Sequence, residues 1–153
     1  MSRLPLGLLS DTATVQADGS LAIGGCDVGE MAAQYGTPLF IYDEEQLRAR
    51  CREAVTTFGL GNAVYATKAF LCTAMARLAY DEGMLLDVAS GGELFVALRA
   101  GVPADSIVMH GNNKSIAELR MRSLRACATL SSTASTNSIA SMRCTPRVYR
   151  CRT

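Results

Sequence analysis

Three apolar runs, each closing on a polar residue, constrain this chain more than any other feature. The runs at 62–69 (NAVYATKA), 85–88 (LLDV) and 106–109 (SIVM) read as strands. Their ends are marked by Lys68, Asp87 and His110, at intervals of 19 and 23 residues, one strand-helix unit apiece. Between them the spacing predicts helices over 71–82 and 91–100, the second stopped by Gly101 and the turn Val102-Pro103, and a further helix opens at 115–121. Strand and helix alternating with short links predict parallel strands in an α/β architecture. Parallel strands end on one side, so a lysine, an aspartate and a histidine reach the same rim. Both a (β/α)8 barrel and a doubly wound sheet do this, and periodicity does not separate them.

Upstream, Gly24-Gly25 marks a turn, and a short helix is expected over 28–35. Gly36-Thr37-Pro38 leads into an apolar strand at 39–42, and Asp43 is placed to cap a helix over 44–58. That helix carries Glu in its first turn and Arg later, as the helix dipole favours.

Each polar residue has a plain reading and a chemical one. Lys68 either extends its ammonium past the sheet end or serves as an amine nucleophile. Partial desolvation at a barrel mouth would favour the neutral amine, which condenses with an aldehyde such as pyridoxal phosphate. Asp87 either caps the next turn or keeps a nearby nitrogen cation charged and oriented. Ser90-Gly91-Gly92-Glu93 has the form of a helix N-terminus open to an anion, though such turns are common. His110-Gly111-Asn112-Asn113-Lys114 is denser in polar side chains than a connector needs.

Composition narrows the classes. A chain of 153 residues permits one ordinary domain. No apolar run approaches the roughly 20 residues that span a bilayer, and the N-terminus makes a poor secretory signal. The six cysteines form no CxxC pair, and the single histidine cannot complete a usual zinc site, so no metal is expected. Reduced cysteines in a cytoplasmic protein are the expectation. The formal charge of +1 hides an asymmetry of −5 over residues 1–120 against +6 over 121–153. Those last 33 residues hold six Arg, no acid and eleven Ser or Thr. They contain no recognisable nucleic-acid reading element.

With these residues in hand, the sequence resembles the alanine-racemase-fold amino-acid decarboxylases. YATKAF (65–70) is similar to the Tyr-Ala-x-Lys-Ala-Asn signature around their cofactor lysine, with Phe70 in place of the usual Asn. LDVASGGEL (86–94) and YGTPLFIYD (35–43) resemble their second strand and entry segment, and HGNNKS (110–115) is similar to the diaminopimelate decarboxylases in particular. The resemblance covers roughly 19–121. It implies a pyridoxal 5'-phosphate (β/α)8 barrel of the TIM type, with Lys68 as the Schiff-base residue and Asp87 and His110 beside the cofactor. It implies decarboxylation of meso-diaminopimelate to L-lysine, an amino-acid substrate, and a homodimer in the full-length family. The alternatives are a decarboxylase of the same fold acting on ornithine, arginine or carboxylated polyamines, and a non-catalytic pyridoxal-phosphate protein.

The domain reading that follows is an N-terminal extension (1–20), the opening part of the barrel (21–121) and an Arg/Ser/Thr-rich tail (122–153) that is out of frame or disordered. A whole barrel takes about 250 residues, so the expectation is an incomplete barrel that is inactive alone, its last strand at 106–109 an open edge. Codon displacement rationalises the tail. Shifted Ser codons (TCN to NTC) become apolar and shifted Thr codons (ACN to NAC) become Asp, Asn, His or Tyr. The displaced stretch can then read as a strand and an amphipathic helix, with a polar strand end at Thr133, 23 residues after His110.

Overall fold

The computed structural model describes residues 6–111 and a strand at 129–131. The chain divides into two compact units, residues 1–63 with 81–84, and residues 64–80 with those from 85 onward.

The first unit opens with a small antiparallel sheet of β1 (Thr14–Val15), β2 (Leu21–Ile23) and β3 (Cys26–Asp27), in that order. Gly24 and Gly25 join β2 to β3 with φ of 58° and 79°. A two-residue hairpin with both central φ positive is most easily built from glycine, and it pairs Ile23 with Cys26. The pairing of β1 with β2 runs across the 20/21 boundary read from the sequence. Helix α1 (Val28–Tyr35) follows, its Asp27 cap accepting from the Glu30 amide at 2.9 Å.

Helix α2 (Glu44–Phe58) starts where Asp43 predicts. The Asp43 carboxylate accepts from the Gln46 amide at 3.3 Å and from the Thr12 hydroxyl. Thr12 Oγ1 in turn accepts from the Gly24 amide at 2.9 Å, so one cap ties the hairpin turn and the early chain to the start of α2. On the same helix, Arg48 and Arg52 converge on Glu82 at 2.9 and 3.2 Å.

The expected strand at 39–42 does not form. Its residues have no strand partner among those described, and Phe40 is 86% exposed. An apolar run can encode an extended segment, but a strand also needs a neighbouring backbone to complete the hydrogen bonds.

The second unit is the predicted α/β layer. Strands β4 (Val64–Ala66), β5 (Leu85–Val88), β6 (Ile107–His110) and β7 (Thr129–Ser131) form a parallel sheet in sequential order. Helices α3 (Thr73–Asp81) and α4 (Gly91–Arg99) are the connections, and α4 packs on β5 and β6. Alternation along the strands sends Leu86, Val88, Ile107 and Met109 into the core, all fully buried. Ala76, Ala79, Leu94 and Ala97 of the helices are buried equally, the alanines allowing close approach. Strand β6 is not the open edge expected, because β7 pairs along it from Val108 to His110. Apart from those three strand residues, the tail and the helix expected at 115–121 lie outside the described residues.

The other face of the sheet is uncovered by comparison. Val64 is 43% exposed, and Ala66, Leu85, Asp87, Val108 and His110 are all half-buried.

Replacing Leu86 with Ala should cost about 2–5 kcal/mol, because it empties a fully buried site between sheet and helix; urea unfolding checks this. Removing the α2 cap with Asp43→Ala should cost about 1 kcal/mol. Thr12 holds the Asp43 carboxyl below its ordinary value of 3.8. Arg48 chiefly, with Arg52, does the same for Glu82 relative to 4.5. Carboxyls depressed in the folded state contribute stability that is complete above the unfolded values and lost as pH falls through the folded ones. The urea midpoint should therefore drop progressively below about pH 5, and less steeply in Glu82→Gln.

Candidate active site

The three polar residues singled out from the sequence lie at the carboxyl end of adjacent parallel strands. Asp87 is the third residue of β5 and His110 the last of β6, while Lys68 sits two residues past the end of β4. Register pairs Ala66 with Asp87 and Asp87 with Val108. Asp87 therefore occupies the central position between the lysine strand and the histidine strand.

The Asp87 carboxyl and the His110 ring meet. Asp87 Oδ2 is 3.5 Å from His110 Nδ1, an ion-pair distance when the imidazole is protonated. The other oxygen, Oδ1, is buried and has no hydrogen-bond partner among the described residues. A buried carboxylate oxygen without a donor is costly and calls for a partner.

The strand expected at 62–69 is shortened, because the chain turns at Thr67 and Lys68 and the turn is closed by the Ala69 amide on the Ala66 carbonyl at 3.2 Å. Tyr65 spans the turn, its hydroxyl donating to the Phe70 carbonyl at 2.7 Å. That bond uses the main chain of residue 70, so the presence of Phe in place of Asn does not remove it. Lys68 itself is exposed, and among the described residues its amine has no hydrogen bond or ion pair. The expected desolvation of Lys68 is thus corrected. The lysine stands two residues beyond the last ladder pair and is exposed among the described residues.

The N-terminus of α4 is also different from an open anion site. Ser90 Oγ accepts from the Glu93 amide at 3.3 Å, and the Glu93 carboxylate accepts from the Ser90 amide at 3.1 Å and from the Ala89 amide. This capping box places the chain's own carboxylate on donors that a bound anion would need. The Ser-x-x-Glu spacing was a legible sign of it. Residues 112–114, the rest of the polar His110 loop, lie outside the described residues. A cleft of about 510 Å3 lies in the first unit, with Ile23, Met31, Tyr42 and Arg48 among its walls. None of Lys68, Asp87 and His110 lines it.

A parallel α/β sheet presenting a lysine turn, a partly unsatisfied aspartate and a histidine at one end defines a candidate site for a carbonyl-bearing cofactor. The chain belongs to the pyridoxal-dependent decarboxylases: residues 44–142 match the family described as "Pyridoxal-dependent decarboxylase, pyridoxal binding domain". It is 52% identical over 102 residues to the diaminopimelate decarboxylase of Mycobacterium tuberculosis, covering 66% of this chain and 23% of that protein. To the diaminopimelate decarboxylase of Bacillus methanolicus it is 52% identical over 114 residues, 72% of this chain and 26% of the relative. Among solved structures, diaminopimelate decarboxylase from M. jannaschii in complex with L-lysine superposes with a TM-score of 0.68 at 34% identity, over 79% of this chain and 30% of that one. The chain spans about a quarter of the length of the curated relatives it matches.

Tyr65→Phe removes one hydrogen bond across the lysine turn and should cost about 1 kcal/mol. Urea unfolding followed by far-ultraviolet dichroism measures it.

Proposed function

We propose that residues 21–121 form the opening part of a (β/α)8 barrel that holds pyridoxal 5'-phosphate, within a protein that decarboxylates meso-diaminopimelate to L-lysine. The observation that carries the cofactor site is the buried, unpartnered Asp87 Oδ1 beside His110, at the end of strands that also present Lys68. The half-exposed apolar face of the sheet supports the barrel, since parallel sheets are ordinarily covered on both faces and further strands would enclose it. The names of the relatives support the substrate, as does the L-lysine bound in one of them.

In this reading Lys68 would hold the cofactor through Nζ, whose primary amine is the group suited to an aldehyde. When bound, the cofactor supplies an electron sink, its protonated ring taking up the electron pair left as carbon dioxide departs. Asp87 accepts a hydrogen bond on Oδ1 and stabilises positive charge in front of it. His110 faces the other oxygen and fixes the orientation of that carboxylate. The turn at 66–70 sets where the lysine stem begins.

Reductive trapping tests the assignment. The chain holds two lysines, Lys68 and Lys114. Incubation with pyridoxal phosphate followed by borohydride and peptide mapping should place most label on Lys68, and Lys68→Ala should leave only background. Equal labelling of Lys68, Lys114 and the N-terminal amine sinks the proposal. Residues 1–153 on their own are expected to release no carbon dioxide from meso-diaminopimelate, and measurable lysine formation by the purified chain refutes that part.

A further inference from the structure

Thr67 is the only buried polar residue among those described, at 1% exposure. Its backbone amide donates to the Asp87 carbonyl at 3.1 Å, and its hydroxyl donates to the same oxygen at 2.8 Å. The amide bond is the last rung between β4 and β5, and the hydroxyl doubles it. A carbonyl oxygen has two lone pairs and can accept both. Two donors from one residue on one acceptor fix the Thr67 side chain as well as its backbone, and a β-branched side chain has few rotamers to escape to. Among the described residues strand β4 has three paired residues and lies at the edge of its sheet, where a ladder would otherwise fray just before Lys68. The turn is tied again on its far side by Ala69 N–H on Ala66 and by Tyr65 Oη–H on Phe70.

We propose that Thr67 is a positioning residue, whose hydroxyl anchors the Lys68 turn to the main chain of Asp87 and so sets the lysine in register with the Asp87-His110 pair. The proposal rests on the reading of Lys68 as the cofactor lysine. Its structural half, the clamp, is measurable without cofactor.

The test uses the full chain with Thr67→Val, which keeps the shape and the amide rung but removes the hydroxyl, and Thr67→Ser, which keeps the hydroxyl. In amide hydrogen exchange without cofactor, Thr67→Val should speed exchange at Ala69 by about fivefold or more, with β5 and β6 unchanged, and Thr67→Ser should stay within about twofold of the parent. With pyridoxal phosphate and borohydride, the ratio of label on Lys68 to label on Lys114 should fall at least about threefold in Thr67→Val and be restored in Thr67→Ser. Unchanged exchange at Ala69 in Thr67→Val overturns the clamp, and so does uniform acceleration across β4, β5 and β6, which marks a residue important only for folding. A local change in exchange with an unchanged labelling ratio overturns the positioning role. If the parent chain itself shows no preference for Lys68, it is the cofactor assignment that fails. Should Thr67→Val not fold, Thr67→Ser against the parent decides, since loss of the turn's protection with the hydroxyl retained refutes the anchor.

Discussion

Strand β5 has a neighbour on each side, and its alternation divides the work of the second unit. Leu86 and Val88 point into the layer between sheet and helices and are fully buried, while Leu85 and Asp87 face the other way. Asp87 acts through two parts of itself. Its carbonyl takes the amide and hydroxyl of Thr67, and its carboxyl faces His110. A single residue thereby couples the turn of β4 to the end of β6. If β5 slipped by one position, its apolar side chains would change faces and both links would break together.

The same constraint explains why the site is only partly satisfied. One face of the sheet is buried, whereas on the other Val64 is exposed and Leu85, Val108, Asp87 and His110 are half-buried. Lys68 is exposed, and Asp87 Oδ1 has no donor among the described residues. The first unit is organised differently, around polar links. Asp43 joins Thr12 and Gln46, and Glu82 receives Arg48 and Arg52, so its cohesion depends on carboxylates remaining ionised.

Much of the architecture was legible because local signals agreed with the packed state. Asp43 caps α2 as its position indicates, and α1, α2 and β5 have the bounds that the sequence indicates. Reading failed where a backbone partner was needed. Residues 39–42 look like a strand and do not join a sheet among the described residues, whereas Thr129–Ser131, in a stretch of unpromising composition, pairs with β6. The pairing of β1 with β2 was likewise invisible, since strands of two and three residues carry no period.

Sequence alone determined the α/β class, the order of strands and helices, and the motif that places Lys68 near the end of its strand, because spacing and capping are local chemistry written in consecutive residues. Only the tertiary structure decided that Asp87 meets His110 at 3.5 Å with one oxygen left unsatisfied, that Thr67 doubles the last rung on the Asp87 carbonyl, and that Lys68 is exposed. Those are relations between residues about 20 positions apart. Register and burial set them, and neither is a property of any one segment.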